Sequence, residues 1–261
     1  MTNKIKRSLE QGDSVFGARV RSFSSTVVQV VGQLGLEYAY LDLEHAGFSP
    51  YDTPALEQRI LASNKADVEL VVRLPGAKPA MIRSVLDAGV RTIILPRVKT
   101  ASEVEHAIRA ARFEYNGEAG ERGFGTAPAN DWGVRPPDYT KTEDETVLVG
   151  VMLETEAAVD NASEITAVPE LGFAKIGVGD LSVSLGCPQD YEHQLVQNAI
   201  GTLEKQCREN NVPLGRGVSD VKAAKEAINN GYQLVDIGGD LDAIRATFQE
   251  RLDQLRLNRN S

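Results

Sequence analysis

Eight short runs rich in β-branched residues, most of them followed by a stretch of helical periodicity, constrain this chain more than any other feature. The predicted strands are Val15 to Arg21, Tyr38 to Asp42, Val68 to Leu74, Thr92 to Val98, Val147 to Glu154, Phe173 to Val178, Pro213 to Val218 and Leu234 to Gly238. They are continuous rather than alternating apolar runs, as parallel strands covered on both faces require. Helical patterns occupy Ser24 to Leu34, Pro79 to Ala88, Ala101 to Arg112 and His193 to Asn210, with Leu195, Ile200, Leu203 and Cys207 at helical spacing in the last. Gly89, Gly172 and Gly231 stand where helices should stop. Repeated β–α units allow a closed barrel or a doubly wound open sheet. The open sheet calls for a glycine-rich phosphate turn after its first strand, and here that strand runs into Arg21-Ser22-Phe23-Ser24-Ser25. The predicted fold is therefore an α/β (β/α)8 TIM barrel, forming one domain over residues 1–261.

Composition sets the bounds. The chain has 261 residues, the length of an ordinary single barrel. Net charge is −9, from 37 acids and 28 bases, which argues against nucleic acid as the partner. No apolar run approaches the ~18 residues of a membrane span, and the basic N-terminus lacks the apolar core of a secretory signal. Cys187 and Cys207 form no zinc or CxxC spacing and are read as reduced thiols of a cytoplasmic protein.

Two segments depart from regularity. Phe113 to Thr146 is long and rich in Gly, Pro and charge, with Gly120-Glu121-Arg122-Gly123-Phe124-Gly125 inside it; such a loop is expected to be a lid or a contact loop. Near the C-terminus, Leu241, Ile244, Phe248, Leu252 and Leu255 form an apolar stripe at spacings of 3, 4, 4 and 3. It suits either the eighth barrel helix or a helix exchanged with a partner subunit.

A barrel presents its strand C-termini at the catalytic mouth. The strand ends deliver Arg19 and Arg21, then Asp42, Glu44 and His45, then Arg73, Arg97, Glu154 and Glu156, Asp180, Arg216 with Ser219 and Asp220, and Asp240. His106 and His193 fall in a mid-helix position and a polar loop, which leaves His45, three residues after Asp42, as the acid–base candidate. Glu154 and Asp180 end consecutive strands with no His or Cys nearby. That pair suits a hard divalent cation or, equally, an ion pair with a mouth arginine. The glycines before Asp180 let backbone N–H groups approach an anion. Arg73 either stabilises an oxyanion or holds a loop.

Asp42-Leu43-Glu44-His45, Val72-Arg73-Leu74-Pro75, Leu86-Asp87-Ala88-Gly89, Arg122-Gly123, Leu153-Glu154-Thr155 and Gly177-Val178-Gly179-Asp180-Leu181-Ser182 together resemble the HpcH/HpaI aldolase family, from about residue 15 to 250. The resemblance implies a class II, metal-dependent pyruvate aldolase, cleaving a 2-keto-4-hydroxy acid such as a 2-keto-3-deoxy sugar acid to pyruvate and an aldehyde. It implies Mg2+, Mn2+ or Co2+ held by Glu154 and Asp180, with the keto acid's carboxylate on the backbone of Gly179 and Asp180. Arg73 would face the enolate oxygen, and His45 with Asp42 would handle the proton through a water. Asp87 would stand near a neighbouring subunit's site, in a homohexamer built as a trimer of dimers. Two positions depart from the family: Met152 stands where glutamine is usual, and Arg19 where an aromatic is common, which adds positive charge for substrate binding. The rival readings are a Schiff-base aldolase using Lys175, an oxaloacetate decarboxylase, an acyl-CoA lyase, and an inactive barrel serving in assembly.

Overall fold

The computed structural model describes residues 3–45, 47–114, 120–135 and 138–257. Its eight parallel strands are β1 (Val15–Arg19), β2 (Tyr38–Asp42), β3 (Glu69–Arg73), β4 (Thr92–Leu95), β5 (Leu148–Leu153), β6 (Phe173–Ile176), β7 (Leu214–Gly217) and β8 (Tyr232–Gly239). They pair in sequence order and close, β8 against β1, into the barrel the sequence predicts. The helices are α1 (Lys4–Glu10), α2 (Ser25–Gln33), α3 (Thr53–Ala66), α4 (Pro79–Ala88), α5 (Ala101–Ala111), α6 (Tyr139–Thr146), α7 (Glu156–Asp160), α8 (Ala162–Thr166), α9 (Val178–Ser184), α10 (Gln194–Glu209), α11 (Val221–Asn229) and α12 (Asp240–Leu257).

Why each chain segment turns where it does is visible at the mouth. Strand-to-helix connections end in side chains that take the first free helical N–H groups: Ser24, Asp52, Thr100, Thr155 and Asp220 cap α2, α3, α5, α7 and α11. At the other ends Gly89 closes α4 at φ 109°, and Gly231 follows α11 at φ 83°. Gly172 differs from expectation: α8 already stops at Thr166, and Gly172 instead lets the chain pass close over Leu148.

Two apolar layers result. One lies between strands and helices; the other fills the barrel with Val15, Tyr38, Tyr40, Val71, Ile94, Leu148, Met152, Phe173 and Leu234. α1 plugs the bottom of this inner layer with Ile5 and Leu9, each worth about 2 kcal/mol of burial. Asn3 fastens the plug by donating to Thr92 Oγ1 at 2.8 Å and the Thr146 carbonyl at 3.0 Å. Above it lies a charged floor. Lys175 Nζ donates to both oxygens of Asp236 at 2.7 and 2.6 Å, Tyr38 adds its hydroxyl to Asp236 at 2.7 Å, and the ammonium stands 4.7 Å from the Tyr40 ring centre. Gly215 makes room for this, since a Cβ there would lie 2.6 Å from Lys175 Cγ.

The described residues of the long segment after α5 do not lie over the mouth. The segment leaves the bottom end of α5, contains a 3-10 turn (Pro128–Gly133) and α6, and packs along the outside of α4. Arg122 anchors it, fully buried, 4.6 Å from the Phe113 ring centre and ion-paired to Asp87 at 2.9 Å. The exposed Phe124, Trp132 and Val134 fit the contact-loop reading. The C-terminal stripe is exposed as well, from 42% at Leu252 to 64% at Phe248 and Leu255, so α12 does not bury it against its own barrel.

Candidate active site

Period-two alternation brings the site together. β2 and β3 place Asp42 and Arg73 in register, side by side, facing the barrel axis. Arg73 donates to Asp42 through Nε at 2.9 Å and Nη2 at 2.5 Å, and its Nη1 lies 2.9 Å from Glu44 Oε2. Burial works against both charges, yet the Arg73 contacts outweigh it and hold the Asp42 carboxyl below its usual range; Asp42 in turn raises the Arg73 guanidinium. Asp42 also accepts the backbone N–H groups of Glu44 and His45 at 3.0 and 3.3 Å, an Asx-type turn that sets the chain direction after β2.

The imidazole of His45 is placed otherwise than the sequence suggested. Only its backbone meets Asp42. Its Nε2 stands 3.7 Å from Glu44 Oε2, and the ring is 61% exposed at the rim. Burial raises the Glu44 carboxyl, with Arg73 pulling the other way.

Across the mouth, Glu154 and Asp180 meet through Arg97, which sequence reasoning noted only as a strand end. The Arg97 N–H donates to Glu154 Oε1 at 2.8 Å while its guanidinium reaches Asp180 Oδ1 at 3.0 Å. The ion-pair reading thus describes Asp180. Glu154 is different: it is buried, its Oε2 accepts no hydrogen bond among the described residues, and burial pushes its carboxyl up to about 7. Gly177 keeps room for that oxygen, since a Cβ there would lie 2.3 Å from Oε2. A buried carboxylate oxygen with free lone pairs beside a second carboxylate fits a hard divalent cation. Among the described residues no group of three or more His, Cys, Asp or Glu side chains is arranged to hold a metal ion, so remaining donors would be water or substrate. Gly179 and Asp180 lie in the first turn of α9, whose N–H groups have no intrahelical partner.

Other predicted residues fall as follows. Arg19 faces inward between β8 and β2, 3.4 Å from Asp242, with its Nε buried and without a hydrogen-bond partner among the described residues. Met152 lies just below Glu154, beside Gly177. Asp87 lies on the last turn of α4, away from its own mouth. Arg216 is a correction: Gly215 and Gly217 hold the inward positions of β7, so Arg216 turns outward over the Tyr232 ring at 5.3 Å. Asp220 caps α11 while the Ser219 hydroxyl donates to it, and Asp240 accepts the Arg21 and Ser22 backbone N–H groups. His193 caps α10 and His106 is exposed on α5. No described helix is long and apolar enough to cross a membrane.

The sequence profile of HpcH/HpaI aldolase/citrate lyase matches residues 17–246. The chain belongs to this family. It is 27% identical to a hydroxypyruvate/pyruvate aldolase of Paraburkholderia phytofirmans over 98% of both chains. It is 29% identical to a 2-keto-3-deoxy-L-rhamnonate aldolase of Escherichia coli over 100% of this chain and 96% of that one. Among solved structures, an HpcH/HpaI aldolase/citrate lyase family protein of Burkholderia cenocepacia superposes with a TM-score of 0.91 at 28% identity, covering 98% and 100%. The protein is accordingly a carbon–carbon lyase.

Proposed function

We propose that residues 1–261 act as one class II aldolase domain, reversibly cleaving a 2-keto-4-hydroxy acid, of the 2-keto-3-deoxy sugar-acid kind, to pyruvate and an aldehyde. The observation that carries this reading is the buried, unpartnered Glu154 oxygen beside Asp180, opposite a guanidinium fixed by two carboxylates. The names of the two aldolase relatives support a keto-acid substrate.

Glu154 and Asp180 would hold Mg2+, Mn2+ or Co2+, which supplies Lewis-acid stabilisation of negative charge. The chain's own residues do the rest. First-turn N–H groups of Gly179 and Asp180 take the substrate carboxylate. Arg73, held rigid by Asp42 and Glu44, faces the keto oxygen as charge builds on it during C–C cleavage. His45, through a water, takes the proton of the 4-hydroxyl and returns it in condensation. Arg19 adds positive charge for the tail of the aldehyde half. Lys175 does not suit a Schiff base, because Asp236 occupies its ammonium in the floor.

The exposed stripe of α12 supports a homo-oligomer in which this helix packs on a neighbour, with Asp87 presented to that neighbour's site in a hexamer. Two reduced cysteines suit a cytoplasmic setting. The test is product analysis of pyruvate with a panel of aldehydes, before and after chelation. Activity should vanish with chelator and return with Mg2+, Mn2+ or Co2+; full activity in chelator sinks the metal assignment, and CO2 release from oxaloacetate without aldol products would favour a decarboxylase.

A further inference from the structure

We infer that the bottom of the barrel, opposite the mouth, carries a binding site for a small organic carboxylate with an apolar body, its head group held between Lys6 and Arg112. The inference stands apart from the proposed aldol reaction and uses none of its residues.

A cavity of about 800 Å3 opens beside α1, between that helix and the loops leading into β5, β6, β7 and β8. Small-molecule sites are commonly of this size. Leu148 opens β5 at this cavity, and Glu154 follows the other end of the strand, roughly 20 Å away along extended chain. The space is therefore separate from the mouth. Its inner wall is apolar, with Leu9, Leu148, Leu171, Val212 and Leu214 all buried. Cys207 belongs to the same wall, and burial pushes its thiol up to about 12, so it stays neutral and adds no charge there.

The rim has the opposite character. In a chain of net charge −9, three cations, Lys6, Arg112 and Arg208, line this cavity against two carboxylates, Glu10 and Glu170. Arg208 is occupied by Glu204 at 3.2 Å and the Asn230 carbonyl. Arg112 and Lys6 keep capacity to spare. Arg112 donates through Nε to Glu170 at 3.0 Å and through Nη2 to the Val147 carbonyl at 3.3 Å, while its buried Nη1 has no hydrogen-bond partner among the described residues. Lys6 donates to the Glu145 carbonyl at 2.5 Å and forms no ion pair among the described residues. The two cations also oppose each other: burial, and then the charge of Arg112, lower the Lys6 ammonium. Glu170 answers this only from outside, its side chain being 61% exposed. A carboxylate brought by a ligand would supply the missing anion through charge-assisted hydrogen bonds, drawn to a positive rim on an acidic molecule. Its apolar body would cover the leucine wall. Inorganic phosphate would meet the cations but leave that wall wet, which favours an organic acid.

The test is calorimetric titration with 4-phenylbutanoate, run beside its uncharged amide and beside inorganic phosphate. The acid should bind at one site per chain, and the amide and phosphate at least about tenfold more weakly, the scale of a lost charged hydrogen bond. Arg112→Gln and Lys6→Gln should each weaken the acid about tenfold. Arg73→Lys, which alters the mouth, should change it by less than about twofold. If Arg112→Gln does not fold, Lys6→Gln carries the test, since Lys6 gives up only its bond to the Glu145 carbonyl. In crystals grown with 4-(4-bromophenyl)butanoate, the anomalous signal of bromine should fall beside Leu9, Leu148 and Leu214. Equal binding of acid and amide, phosphate binding as tight as the acid, or no binding at millimolar acid overturns the inference. So does a loss of binding in Arg73→Lys that Lys6→Gln does not share. Binding that follows Lys6 and Arg112 in a protein without aldol activity would sink the proposed function and leave this site standing.

Discussion

Glu154, the proposed metal ligand, opposes the fold that carries it. Its carboxyl is raised to about 7 because burial penalises the charge, and among the described residues its Oε2 has no hydrogen-bond partner. Glu154→Gln should therefore abolish aldol activity yet stabilise the metal-free protein by on the order of 2 kcal/mol at pH 8, seen as a higher Tm in chelator; an unchanged or lower Tm counts against the unpartnered charge. Arg97 sits on the same balance, since its guanidinium holds Asp180 Oδ1 and would compete with the proposed cation for it. Arg97→Gln removes the competitor while the backbone N–H to Glu154 stays. Mn2+ affinity should tighten about tenfold, roughly 1.4 kcal/mol, by calorimetric titration, whereas weaker binding would make Arg97 a support of the site.

Among the elements, α6 and α12 make separate claims. Asp144 on α6 accepts the Phe113 N–H, and burial pushes its carboxyl up to about 6. An acid raised in the folded state contributes stability that is full below its ordinary value near 4 and is lost as pH climbs through 6. Asp144→Asn keeps an acceptor without the charge. Its advantage over wild type should be absent at pH 4 and reach about 1 kcal/mol at pH 7, the half-buried position trimming the effect by solvent screening; urea unfolding at both pH values checks it. On α12, Phe248→Glu places a charge in the exposed stripe. Light scattering should show a smaller assembly for Phe248→Glu and no loss of barrel circular dichroism.

For the molecule as a whole, the charged floor ties β2, β6 and β8 together. Lys175→Met strands Asp236 in the interior and should cost about 3–5 kcal/mol in chemical unfolding. Adding Asp236→Leu should recover part of that, which simple loss of packing would not. The barrel itself was legible in the chain because each buried strand wrote a continuous apolar run, and the order of chemical groups at the mouth followed from strand ends alone. The site was less legible where direction mattered. The same alternation that faces Tyr38, Tyr40 and Asp42 inward brings Glu44 to Arg73 and leaves His45 at the rim; applied to Gly215 and Gly217 it turns Arg216 out. That signal was in the sequence. The partnership of Arg97 with both carboxylates was not, because it depends on a left-handed backbone at φ 53° that a non-glycine residue does not announce.

The seam between β1 and β8 has a kinetic consequence. Gly17 pairs with Asp236, and Gln233 reaches back to the Leu9 carbonyl, so contacts 219 and 224 residues apart are needed before either edge strand has two neighbours. Such distant closure is slow to form. Until it happens, β1 and β8 are open edges able to capture strands from other chains. Refolding yield should therefore fall with protein concentration until the ring is shut, and amide exchange under native conditions should find this seam the first rung of the barrel to open.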